Sequence, residues 1–196
     1  MEGSTVAYAL LGWPADGPTL RLDHREFAYA GKFVMSATGK AVAYRDGDPA
    51  DPEAVLAAAA FDADRTDEAT LKIRYLTVRQ DARGGGLGAR LAAFVAARAA
   101  GRGFDRVAIG VNNAFSYEAL SKAGFAWTGA ESGLAELVLA RPAETPADRD
   151  PGRYRDGLDR FREREGLTPA ERAFLDDRRG ADPPAPVTPP GPDATE

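Results

Sequence analysis

The chain has 196 residues, which suits one domain plus an appendage, and 44% of them are hydrophobic, enough for a sizeable core. It contains no cysteine, which excludes disulfides, thiolate catalysis and cysteine-based metal sites. A net charge of −5 argues against a nucleic-acid binder held by general electrostatics, and no apolar stretch reaches the roughly 20 residues that cross a bilayer, so neither kind of partner is expected.

Met1–Leu11 carries no basic segment and no cleavage site after an apolar run, so the default location is cytoplasmic. Ala7–Trp13 reads as a strand ended by Pro14. Asp23-His24-Arg25-Glu26 has capping-box spacing, and Phe27, Ala30 and Val34 fit one helical face, but Gly31 weakens that helix. Lys40–Arg45 reads as a strand stopped by Asp46-Gly47-Asp48-Pro49. Propensity alone makes Glu53–Phe61 a helix, because alanine is the best helix former. Leu71–Val78 is strand-like by its branched and aromatic content.

From here the alternation is clear. Leu87, Leu91, Phe94 and Val95 fall on one helical face, and Gly101 and Gly103 end that helix. Arg106–Val111 is a short buried strand, Asn113–Ala123 a second helix stopped by Gly124, and Leu134–Leu139 a last strand. Strand, helix, strand, helix, strand requires at least one parallel crossover and an α/β fold. Pro142 then marks a change of character. Residues 1–142 form the core domain and 143–180 a helical appendage, with a strong helix start at Thr168-Pro169-Ala170-Glu171. Residues 181–196 carry Pro183, Pro184, Pro186, Pro189, Pro190 and Pro192 and are predicted to be disordered.

Arg83-Gly84-Gly85-Gly86-Leu87-Gly88-Ala89 lies between a strand and an amphipathic helix. Glycines there let the backbone turn tightly, and the free N–H groups of the helix start suit a pyrophosphate. A P-loop needs Lys and Ser or Thr where Arg90 and Leu91 stand, so that reading fails. Gly84, Gly86 and Ala89 meet a Rossmann fingerprint superficially, but the expected acidic residue past the next strand is absent from Val111-Asn112-Asn113. A plain glycine-rich turn is the remaining alternative. No cluster has metal-ligand spacing, so no metal is expected.

Arg83 to Gly88 resembles the [RQ]-x-x-G-x-[GA] signature of the GNAT N-acetyltransferases. Upstream, Tyr75-Leu76-Thr77-Val78 is similar to the family's cofactor strand, and downstream Asn113, Lys122, Gly124 and Phe125 fit its N-x-x-A-x-x-x-Y-x-K-x-G-F segment. The resemblance covers about 71–139. It implies an α/β GNAT acyltransferase fold, a mixed twisted sheet splayed at the cofactor and flanked by helices. It makes Val55–Phe61 a strand rather than a helix, with Asp62–Thr66 in the turn. It also implies acetyl-CoA as co-substrate, held by main-chain groups of Leu76, Thr77 and Val78, by the amides of Arg83, Gly84, Gly85, Gly86, Leu87, Gly88 and Ala89, and by Asn113. A primary amine, on a peptide N-terminus or a small molecule, then attacks the thioester directly. The oligomeric state stays open between monomer and homodimer.

Two departures matter. Leu120 stands where the family places its proton-donating Tyr, and Tyr117, one turn earlier, is the substitute candidate, with core packing as its plainer reading. Neither Leu71–Val78 nor Arg106–Val111 contains a carboxylate or His to act as base. A Lys amine must then be deprotonated at a cost of about 4.6 kcal/mol at pH 7, an α-amine at only about 1 kcal/mol, so an α-amine acceptor is expected. Glu131, before the last strand, is the acceptor-contact candidate, and His24 reads as a surface residue. The missing phenol and base also suit a degenerate family member that binds acyl-CoA without catalysis.

Overall fold

The computed structural model describes residues 5–133 and 135–191. Seven strands form one sheet in the order β1-β2-β3-β4-β5-β7-β6. They are β1 (Val6–Gly12), β2 (Gly39–Arg45), β3 (Val55–Ala63), β4 (Thr70–Val78), β5 (Arg106–Val111), β6 (Ala126–Glu131) and β7 (Leu137–Pro142). The helices are α1 (Leu87–Gly101), α2 (Ala114–Lys122), α3 (Pro151–Arg162) and α4 (Pro169–Asp177). β1 to β4 form an antiparallel meander, α1 crosses over to make β4 and β5 parallel, and β5, β7 and β6 are antiparallel again. One parallel pair in an otherwise antiparallel sheet is not the doubly wound, mostly parallel sheet of a Rossmann domain.

The sheet separates two clusters. Ala41, Ala43, Ala57, Ala59, Phe61, Leu71 and Ile73 face the helices. Val42, Tyr44, Ala58 and Ala60 face the long connection between β1 and β2, which adds Leu20, Phe27, Ala30 and Phe33. The helix that alanine propensity predicts over 53–61 is thus a strand. Ala57 to Ala60 are fully buried on both faces, and their small side chains let α1 approach one face and the connection the other.

The helix offered for 23–34 is also absent. Asp23 forms a single turn, its carbonyl accepting from Glu26 and Phe27, and Tyr29 then takes a left-handed φ of 59°. The connection is instead tied down by a buried lysine. Lys40 Nζ, with no exposed surface, donates to the carbonyls of Pro18 (3.0 Å), Met35 (2.7 Å) and Thr38 (2.7 Å) and to the Thr38 hydroxyl (2.8 Å).

β6 has no counterpart in the sequence reading, and the last strand starts at Leu137; Leu134 lies outside the described residues. The C-terminal helices share the main core. Tyr154, Leu158 and Phe161 of α3 and Leu175 of α4 are buried in the same cluster as α1 and α2. Glu118 of α2 ties them together. It accepts from the Tyr154 hydroxyl and pairs with Arg178, just past α4, at 3.5 Å. Thr168 and Glu171 form the expected capping box of α4.

Residues 181–191 differ from the disordered tail that the prolines predict. The Val187 N–H donates to the Lys122 carbonyl (2.7 Å), Arg155 pairs with Asp182 (2.7 Å), and Ala181 and Val187 pack on the core. Closely spaced prolines break up a helix or a central strand but not an extended chain lying on a surface. Pro192–Glu196 fall outside the described residues. No helix among the described residues is long and apolar enough to cross a membrane.

Candidate active site

The site begins where two neighbouring strands part. β4 and β5 pair from Thr70↔Arg106 to Ile73↔Ile109, and no pair follows, although β4 runs on to Val78 and β5 to Val111. A bulge sits at the parting. Ala60 pairs with Tyr75 and Phe61 with Ile73, so Arg74 is the extra residue. A bulge re-aims the side chains beyond it. Leu71 and Ile73 face the helices, Tyr75 faces the other cluster, and Leu76 and Val78 face the helices again.

The main chain beyond the bulge is also assigned. Arg79 N–H donates to the Leu56 carbonyl of β3 (2.8 Å). In an antiparallel ladder alternate residues bond to opposite sides, so Leu76 and Val78 turn their N–H and C=O groups toward the gap. The Arg83 side chain already donates to the Val78 carbonyl from that side (3.3 Å). Thr77 is different from its two neighbours. Its main chain belongs to the β3 ladder, and its side chain is buried with its hydroxyl unpartnered. Of the three strand residues implied by resemblance, two therefore present main chain to the gap.

At the mouth of the gap lies the glycine turn. Gly84 and Gly86 have φ of 83° and 77°, which only glycine adopts without strain. Gly86 caps α1, whose first internal bond runs from Arg90 N–H to the Gly86 carbonyl (3.1 Å). The N–H groups of Leu87, Gly88 and Ala89 thus have no carbonyl within the helix. Gly84, Gly85 and Gly86 are exposed, and Gly88 lies over the gap strand, where a Cβ would touch Val78 at 3.4 Å and Leu76 at 4.0 Å. An exposed row of N–H groups with Arg83 and Arg90 beside it fits a pyrophosphate, and the unpaired strand edge fits a linear amide chain.

Asn113 lies two residues past the end of β5, the strand that edges the gap, as the N-cap of α2. Its Oδ1 accepts from Ser116 N–H (2.8 Å) and its Nδ2 donates to Asn112 Oδ1 (3.1 Å). Tyr117 does not border the gap. Its ring, 1% exposed, stacks on Tyr154 and meets Phe161 edge-on, and its hydroxyl donates to the Tyr154 carbonyl (3.2 Å). Burial pushes its pKa above the ordinary phenol value. The proton-donor candidacy of Tyr117 is therefore corrected to core packing beneath α3. Leu120 is buried too, so α2 brings no phenol to the gap.

Glu131, the acceptor-contact candidate, ends β6. It pairs with Leu137 on the helix side of the sheet, and its carboxylate lies 3.6 Å from Arg160 of α3. Just past α3, Arg164 donates to the carbonyls of Asn112 and Ala135. His24 is exposed. The carboxylate that sequence reasoning passed over is Glu136. It leans across β5 so closely that a Cβ at Gly110 would sit 2.6 Å from its Oε2. The available signal was the alternation of Glu136 and Val138 with buried Leu137 and Leu139.

A model of the acetyltransferase (GNAT) family matches residues 7–125. Among solved structures, a Bacillus subtilis acetyltransferase in complex with CoA is 15% identical, with 69% of this chain and 97% of that one covered and a TM-score of 0.50. A mutant of the toxin AtaT, bound to the C-terminus of the antitoxin AtaR, is also 15% identical, with 71% and 94% covered and a TM-score of 0.51. These likenesses show the fold. A search of curated proteins finds no match.

Proposed function

Because this chain belongs to the acetyltransferase (GNAT) family, we propose that it moves an acetyl group from acetyl-CoA to a primary amine by direct attack. The parting of β4 from β5 beyond Ile73 and Ile109, with the glycine turn at its mouth, carries this reading. A CoA complex of a protein with this fold supports it.

When bound, acetyl-CoA supplies an activated acyl carbon and a thiolate leaving group. The chain supplies the cradle. Amides from Arg83 to Ala89 take the pyrophosphate, with the α1 dipole adding partial positive charge. Main-chain groups of Leu76 and Val78 pair with the pantetheine arm and hold the thioester carbonyl. Asn113 Nδ2 has a second proton to offer the same arm. The acceptor approaches from the face opposite α1, where Tyr75 and Gly110 lie. β4 and β5 carry no carboxylate or His, so their chemistry alone favours an α-amine of a peptide or amino acid.

Thermal stability with and without acetyl-CoA, at low and high salt, tests the reading. Ligand at 100 times Kd adds about 2.7 kcal/mol to the folded state. At roughly 2–4 °C per kcal/mol for this size, the melting shift is measurable. A shift with acetyl-CoA but not with NAD or ATP is the expected result, and no shift at either salt overturns it. A second reading, an acyl-CoA-binding sensor without turnover, is favoured by the inward packing of both Tyr117 and Leu120. CoA release that depends on an added amine separates the two.

A further inference from the structure

We propose that Glu136 is the residue that receives the acceptor amine and takes its proton. This rests on the acetyl-transfer reading above and supplies from β7 the group that β4 and β5 lack.

Placement is the first support. β5 and β7 pair as Gly110↔Val138 and Val111↔Leu137. Leu137 and Val111 face the helices, so Gly110, Val138 and Glu136 share the opposite face. Gly110 directly follows Ile109, the last residue of β5 that pairs with β4. The carboxylate therefore lies on the acceptor side at the point where the strands part.

Close approach is the second. A Cβ at residue 110 would lie 2.6 Å from Glu136 Oε2 and 3.1 Å from its Cδ, so with a glycine there the carboxylate lies over β5, and an alanine would push it aside. The turn before Glu136 is fixed independently. Ala135 holds a left-handed φ of 58°, a conformation that a non-glycine residue adopts only when its surroundings fix it. Ser132 N–H donates to the Glu136 carbonyl (2.8 Å), and the Ser132 hydroxyl donates to Glu136 Oε2 (3.2 Å). Arg164 holds the Ala135 carbonyl from outside.

The charged and titratable groups on the same face of neighbouring strands are Lys72, Arg74 and Tyr75 of β4, Asp62 of β3 and Arg106 of β5, and the connection between β1 and β2 sets Tyr29 and Lys32 against Tyr75. The C-terminal segment adds Arg164 beside the turn. Arg74 is drawn toward Asp62, away from β5. An ammonium group entering beside Gly110 thus meets the Glu136 carboxylate.

In the transfer, the amine nitrogen bonds the acyl carbon, and the carbon–sulfur bond breaks with its electron pair leaving on sulfur. A protonated primary amine sheds two protons in becoming an amide. Glu136 takes one and passes it to water, and the other neutralises the thiolate. With this carboxylate in place, acceptors that are cations at neutral pH, Lys side chains included, join the α-amines.

The test compares wild type with Glu136→Gln and Gly110→Ala, using acetyl-CoA and two amines, a tripeptide with a free α-amine and an α-blocked lysine. Glu136→Gln is expected to keep the melting shift given by acetyl-CoA. Its kcat/KM at pH 7 should fall roughly a hundred- to ten-thousand-fold, the usual range for a general base. The loss should shrink as pH rises toward the amine pKa, which a merely structural role does not produce. Gly110→Ala should lower kcat/KM by displacing the carboxylate. Wild-type kcat/KM in Glu136→Gln, or a loss independent of pH, overturns the assignment and leaves acetyl transfer standing. A wild type that fails to shift with acetyl-CoA, or releases CoA with neither amine, overturns the parent reading and the assignment together.

Discussion

Gly86 and Gly110 are both glycines for reasons that a substitution can separate. Gly86 has a φ of 77° and caps α1 at the mouth of the gap. Replacing it with Val forces a left-handed β-branched residue, at a cost of about 1–2 kcal/mol. The variant should melt a few degrees lower and lose the acetyl-CoA shift. Gly110 gives way to a neighbouring side chain, so its change should spare cofactor binding. Tyr117 and Tyr154 make a pH prediction. Burial, which penalises the charged phenolate, raises both phenols above the ordinary value, and Tyr154 is also bonded to Glu118. A raised folded pKa means stability present in full below the unfolded value of about 10 and lost as pH rises past it. Denaturant melts between pH 8 and 11 should show stability falling at the alkaline end, with a shallower fall in Tyr117→Phe. That variant should keep wild-type kcat. The glycine turn was legible because its residues act through local backbone. Glu136 was not, because its meaning depends on a strand pairing that brings it over Gly110.

Among the elements, α3 carries an internal glycine that looks like a defect. Gly157 to Ala normally gains about 1 kcal/mol of helix propensity. Here a Cβ would lie 2.2 Å from the Tyr117 hydroxyl, so the substitution overpacks the core. Gly157→Ala should destabilise by about 1–3 kcal/mol, and Tyr117→Phe should recover part of it in the double variant. Urea melts of the single and double variants measure both. Element identity was readable wherever pattern and position agreed. β5 falls at Arg106–Val111 and α1 at Leu87–Gly101, as their periodicity indicates. β3 reads as helix because propensity describes an isolated segment, whereas Ala57 to Ala60 sit between two other strands. β6 was missed because its exposed end, Gly129 to Glu131, carries no apolar alternation. The bulge at Arg74 leaves no trace in the sequence, yet it decides which side chains meet α1.

At the scale of the whole molecule, the C-terminal segment is joined to the site. Arg160 reaches Glu131, and Arg164 bonds the ends of both β5 and the turn before Glu136. Arg164→Ala should lower turnover severalfold while leaving acetyl-CoA affinity near wild type, because it touches the acceptor side and not the glycine turn. Steady-state kinetics beside a cofactor titration would show this, and an equal loss in both would show general loosening instead.

The caged ammonium of Lys40 has a different use. The chain's lysines are Lys32, Lys40, Lys72 and Lys122, and of these Lys40 alone is wholly enclosed. An amine-reactive label should mark the others at their solvent rates and reach Lys40 only when the connection between β1 and β2 lifts off the sheet. Local opening of this kind has its own free energy, distinct from global unfolding. The labelling rate of that single residue would therefore clock how often the connection lets go of β2 and β3.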